Sequence, residues 1–190
     1  MAHSMKIRAL VAATTLLLAS TAGADVKKGM TAWQHGDYPA AVHEWQPLAD
    51  KGDPDALFNL GQAYNQGHGV AKNPDKALAL FQQAAGKGHV LAASFAGLML
   101  YERGERVAAM PLLKTASDHG DARAQYVVGL ACFNGDLLPK DWVRAYALVS
   151  LANTAGLPQA ATAQAQMDTI VPAEQRKQGL ALAAKLASKR

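Results

Sequence analysis

The sequence predicts an all-α fold, an α-solenoid of about five antiparallel helix pairs, and three observations carry that prediction. Alanine supplies 40 of the 190 residues and isoleucine only two, a balance that favours close-packed helices over sheets. A Gly-x-x-x-Ala pattern recurs at Gly52/Ala56, Gly88/Ala92, Gly120/Ala124 and Gly156/Ala160, with the glycines 36, 32 and 36 residues apart. A second row lies 11 residues before each glycine, at Ala41, Ala77, Ala109 and Ala145, and four positions later come the bulky Trp45, Phe81, Leu113 and Val149. A unit of two helices cannot bury its apolar side alone, so copies of it stack. With 50% hydrophobic and 18% charged residues, the chain has the composition of a folded protein.

The first 24 residues read as a leader. Met5-Lys6-Ile7-Arg8 is basic, Ala9 to Ala19 is apolar, and Ala22-Gly23-Ala24 supplies the small residues that a signal peptidase reads. The apolar stretch is too short for a spanning helix. The pattern is that of a secretory signal peptide, preceded by the prefix Met1-Ala2-His3-Ser4 and cleaved after Ala24. The expected location is periplasmic or secreted. Loss of Lys6 and Arg8 lowers the formal charge from +4 to +2, which argues against a nucleic-acid partner. No cysteine follows the cleavage point closely enough for a lipid anchor, so no stable membrane anchor is expected after cleavage. A single cysteine, Cys132, excludes an internal disulfide framework and a Cys-based zinc site, and is expected to be buried and inert.

The rest, 25–190, divides into pairs at about 25–52, 53–88, 89–120, 121–156 and 157–190. The first pair is Val26–His35 and Tyr38–Lys51, joined at Gly36-Asp37. In the second, helix A runs from about Ala56 to Gln66 and stops at Gly67. After the loop His68 to Lys72, Asn73-Pro74 restarts the chain with a capping residue and a proline in the first turn, and helix B runs to about Ala85. The third pair is shorter because its turn is only Arg103-Gly104-Glu105. The last pair, Pro158–Ile170 and Pro172–Ser188, is polar enough to cap the array. Pro47 and Pro111 fall inside B helices and are expected to bend them or to mark late starts.

The copy at 56–88 reads Ala56, Leu60-Gly61, Tyr64, Gly67-His68-Gly69-Val70, Lys76-Ala77, Ala84-Ala85 and Gly88. These residues resemble the Sel-one-like repeat family, a relative of the tetratricopeptide repeat. The copies at 88–119 and 120–155 depart from the pattern, with Leu100 and Cys132 in place of the tyrosine and the Gly-x-Gly-Val loop missing or altered. The similarity covers roughly Gly36 to Gly156. The resemblance implies a right-handed solenoid that serves as a protein-interaction scaffold, and nothing in the family pattern is catalytic.

In such a stack the A helices line the concave face. The side of helix A away from Leu57, Leu60 and Tyr64 carries Phe58, Gln62 and Asn65. Its equivalents are Ser94, Leu98 and Tyr101, then Tyr126, Leu130 and Phe133, with Val26, Met30 and Trp33 from the first pair. One reading makes this row an apolar groove for a peptide or helix of a partner. The other packs several of these residues between adjacent A helices or under the terminal pair.

No residue set points to catalysis, a metal or a cofactor. The histidines at 35, 43, 68, 89 and 119 lack ligand spacing, and no serine has a neighbouring base. The basic tail after Glu174 reads either as a solvated helix face or as an anionic-surface contact. The function expected is a non-catalytic periplasmic scaffold for an unknown protein of the cell envelope. The alternatives are a β-lactam-binding or weakly hydrolysing enzyme, as in cysteine-rich relatives whose cysteines this chain lacks, and an immunity protein that neutralises a secreted toxin.

Overall fold

The structure is a computed structural model that describes residues 26–189; the expected leader and its cleavage point lie outside the described residues. The chain divides into two units, one ending at His89 and one beginning at Val90. The first holds α1 (26–34), α2 (Tyr38–Asp50), α3 (Pro54–Gln66) and α4 (Pro74–Gly86). The second holds α5 (Val90–Glu102), α6 (Arg106–Asp118), α7 (Ala122–Asn134), α8 (Trp142–Thr154), α9 (Pro158–Ile170) and α10 (Ala173–Ala187). The described residues contain no strand. Pro47 and Pro111 sit inside α2 and α6, and neither begins its helix.

Helix starts follow from side-chain capping. The carboxylates of Asp53 and Asp121 accept backbone N–H groups of the first turns of α3 and α7, and Asn73 and Asp141 do the same for α4 and α8. Gly67 and Gly135 end α3 and α7 in the left-handed region, with φ of 79° and 75°. The loops after them are one structure written in two sequences. The N–H of Asn73 donates to the carbonyl of Tyr64 at 2.8 Å, and that of Asp141 donates to the carbonyl of Cys132 at 2.9 Å. Only the glycine, the lysine five residues on and the cap are shared, so the Gly-x-Gly-Val motif is not required for this loop.

Within each hairpin one glycine of helix A faces one bulky residue of helix B. A Cβ on Gly61 would lie 2.7 Å from the Phe81 ring, on Gly97 2.9 Å from Leu113, and on Gly129 2.9 Å from Val149. Gly29 stands in the same relation to the indole of Trp45. The missing side chain lets the two helices close to contact over a buried knob. Phe81, Leu113 and Val149 are each fully buried and Trp45 is 2% exposed. Each burial of this kind contributes about 1.5–3 kcal/mol.

The last two helices differ from the hairpin expected of them. α9 and α10 both pack on α8, and what joins them to each other is Arg176 of α10 on Asp168 of α9. The close approach is again at a glycine: a Cβ on Gly179 would lie 3.0 Å from Tyr146 Cβ and 3.1 Å from the Val143 carbonyl. A polar chain secures this end. The Tyr146 hydroxyl donates to Asp168 Oδ1 at 2.6 Å, Gln164 Nε2 to the Tyr146 hydroxyl at 3.4 Å, and Arg176 to the Asp168 carbonyl at 2.7 Å.

Candidate functional site

Three residues assigned to the open row are buried. Val26 is 6% exposed, and its carbonyl accepts from the Trp45 indole nitrogen. Phe58 is 7% exposed; its ring stacks on His89 at 4.4 Å and meets Phe81 at 5.7 Å. Ser94 is wholly buried, and its hydroxyl donates to Asp121 Oδ2 at 2.7 Å, the same carboxylate that caps α7. In helix-pair register His89 and Asp121 are the same position. The side chain at the Phe58/Ser94 offset therefore points along the array to the residue that begins the next helix A, and it is a packing position.

The other members of the row reach the surface to different degrees. Met30 is 44% exposed. Trp33, Gln62, Asn65, Leu98, Tyr101, Tyr126, Leu130 and Phe133 are half-buried. Several of them already have aromatic neighbours. Trp33 meets Tyr38 edge-on at 4.7 Å, Trp45 at 5.5 Å and His68 at 5.5 Å. Arg106 lies over the Tyr101 ring at 5.2 Å, and Phe133 stacks with Trp142 at 6.1 Å.

The accessible stripe of helix A is turned by one residue from the row read in the sequence. In α3 it runs through Asp55, Asn59, Gln62 and Gln66; in α5 it runs through Leu91, Phe95, Leu98 and Glu102; in α7 it holds Arg123, Leu130 and Asn134, while Val127 between them is buried. Only Gln62, Leu98 and Leu130 belong to both rows. The polar set Asp55, Asn59, Gln62 and Gln66 has spacings of four, three and four, a signal that the sequence itself carries. It is hidden in α5, which carries no charge before Glu102 and is apolar on every side.

In the second unit this stripe is apolar. Leu91 is 54% exposed, with Phe95 and Leu98 half-buried beside it, and Arg123 lies over the Phe95 ring at 5.5 Å. In the first unit Met30, Trp33 and Gln34 of α1, Trp45 of α2, and Asn59 and Gln62 of α3 line an open recess of about 190 Å³. A third opening, about 520 Å³, lies between α6 and the loop before α8, lined by Val107, Met110, Pro111, Lys114, Thr115, Asp118 and Leu138.

The titratable groups are arranged for structure. Burial pushes the Cys132 thiol up, and the residue is 3% exposed. Burial, and then the hydrogen bond to Asp168, push the Tyr146 hydroxyl up. Among the described residues no group of three or more His, Cys, Asp or Glu side chains is gathered as a metal site would need, and no helix is long and apolar enough to cross a membrane.

Residues 54–89 and 122–157 each match the model of the Sel1 repeat. The chain therefore carries two Sel1 repeats, and Sel1 repeats are typically protein–protein interaction scaffolds. An F-box protein from Arabidopsis thaliana is 43% identical over 76 residues, which are 40% of this chain and 22% of that protein. The chain thus spans about a fifth of the length of this curated relative. Among solved structures, a Sel1 repeat protein from Oxalobacter formigenes aligns with a TM-score of 0.64 and 23% identity, over 74% of this chain and 57% of that one. A protective antigen of uropathogenic Escherichia coli with an SLR fold aligns at 0.56 and 20% identity, over 88% and 46%. MamA from Desulfovibrio magneticus aligns at 0.52 and 19% identity, over 88% and 93%. These likenesses show the fold, an all-α solenoid of helix pairs.

Proposed function

We propose that this chain is a non-catalytic adaptor of the cell envelope, and that it holds a helix or peptide of a protein partner against the open stripe of α5 and α7. The observation that carries the reading is Leu91, Phe95 and Leu98 on one accessible face, with Leu91 54% exposed. A soluble helix normally turns charge to water on that face, and contiguous exposed apolar surface marks interaction sites. Arg123 beside Phe95 and Glu102 at the end of the stripe supply a polar rim. The envelope location follows from the leader-like N-terminal sequence, and the scaffold role is supported by the Sel1 repeats.

The test is affinity capture from the native envelope with the parent chain and with Leu91→Asp/Leu98→Asp. Leu91 is exposed and Leu98 half-buried, so the thermal midpoint should fall by about 2–8 °C, in line with about 1–2 kcal/mol for the pair. Loss of a specific co-purifying protein with an intact fold supports the reading. Undiminished capture by the folded variant ends the assignment of this stripe, and a mature N-terminus at Met1 or Met5 in protein recovered from cells ends the envelope assignment.

A further inference from the structure

We propose that the recess of the first unit is a binding site for a neutral saccharide ring, distinct from the apolar stripe of α5 and α7. Its six lining residues, Met30, Trp33, Gln34, Trp45, Asn59 and Gln62, carry no charge. Two are indoles, that of Trp45 buried and that of Trp33 half-buried, one is a thioether and three are primary amides. A primary amide offers two donors and an acceptor of two lone pairs. The amides of Gln34 and Asn59 make no hydrogen bond to other described residues. That of Gln62 only accepts one from Gln66 Nε2 at 3.5 Å.

A ligand that satisfies this set needs hydroxyls able to donate and accept around its edge, an apolar C–H face for the indole and thioether, and no formal charge. A pyranose has all three. A charged ligand would leave its charge without a counterpart in the lining, at a desolvation cost that the recess cannot return. An extended peptide also offers donors and acceptors, but it needs a track along successive helices. Here the amides converge from α1 and α3 on a volume of about 190 Å³, the size of one ring. The site is rigidly backed. The Trp45 indole nitrogen donates to the Val26 carbonyl at 3.2 Å, and Trp33 is held among Tyr38, Trp45 and His68.

The experiment is nuclear magnetic resonance titration of 15N-labelled protein, following the indole N–H and side-chain amide signals. The probes are methyl glucoside and N-acetylglucosamine, with glucuronate and N-acetyl-leucine methylamide as comparators. The expected result is saturable shifts of the Trp33 and Asn59 signals with a neutral sugar at a dissociation constant of about 1 mM or tighter. Asn59→Ala and Gln34→Ala, both at accessible positions, should weaken it about tenfold with an unchanged thermal midpoint. Four results overturn the proposal: no saturable shift with either sugar, equal binding by the two variants, tighter binding of glucuronate, or tighter binding of the leucine amide. The partner capture described above does not use this recess, so either idea can fail alone.

Discussion

A methyl group at Gly61 tests how the hairpins close. The added carbon would stand 2.7 Å from Phe81 Cε1 and 2.8 Å from Cδ1, and the ring is wholly buried, with no solvent side to retreat to. Overpacking of this kind costs about 1–3 kcal/mol. Alanine returns about 1 kcal/mol over glycine through helix propensity. The Gly61→Ala variant should therefore lose up to about 2 kcal/mol, with a fall of about 2–4 °C in thermal midpoint per kcal/mol for a chain of this size. Phe81→Ala alone should cost about 3–5 kcal/mol through the cavity it leaves. In that background the sign reverses: the methyl of Gly61→Ala no longer meets a ring, and the change should stabilise by about 1 kcal/mol. The assay is urea unfolding followed by far-ultraviolet circular dichroism on the four proteins of the cycle. A coupling energy near zero, with Gly61→Ala acting alike in both backgrounds, would refute the glycine-and-knob account of the fold.

Three further outcomes follow from the geometry. Asp121→Ala removes the α7 cap and leaves the Ser94 hydroxyl buried without that carboxylate, so it should cost about 2–3 kcal/mol by chemical denaturation, where an ordinary cap costs about 1. Gly179→Val should detach α10 while α7 and α8 stay folded; hydrogen exchange should show early loss of protection confined to 173–187, and uniform loss throughout would contradict the arrangement. The raised Tyr146 hydroxyl means that the folded state favours its neutral form. The stability it contributes is present below the ordinary tyrosine range and is lost as pH rises through the folded value. Parent protein should weaken at alkaline pH more steeply than Tyr146→Phe, and parallel curves from denaturant titrations across that range would dismiss the effect.

The helices are readable in the sequence because their signals are local. The rows Trp45, Phe81, Leu113, Val149 and Gly61, Gly97, Gly129 are visible as offsets, and the structure shows why they pair: each glycine is the socket for the knob of its own hairpin. The surface is less legible. Helical periodicity gives the spacing of a stripe but not its phase, and in α5 the residues are apolar all round, so no contrast fixes the phase. Periodicity misplaces Ser94 for that reason; Phe58 is misplaced although the polar set of α3 carries the phase. Each is claimed by the first residue of the following helix A, a contact that depends on how successive hairpins stack. The seat of α10 on α8 is hidden as well, since it depends on Gly179 meeting Tyr146, far away in the chain and outside the repeat offsets. The recess over Trp45 draws on three helices; Met30, Trp33 and Gln62 belong to the row that the spacing picks out, whereas Gln34 and Asn59 lie one step aside of it.

The socket contacts join residues only 16 positions apart at Gly29/Trp45 and Gly97/Leu113, and 20 apart at Gly61/Phe81 and Gly129/Val149. The four extra positions are taken up by the loops after Gly67 and Gly135, with no change in what meets what. Those loops are natural ports for grafting. A foreign epitope spliced between Ala71 and Lys72, or between Leu138 and Pro139, would lengthen a closure whose entropic penalty grows only with the logarithm of its length, about 0.6 kcal/mol per doubling. The hairpin beneath should still zip first and quickly, because its decisive contacts never leave its own neighbourhood in the chain.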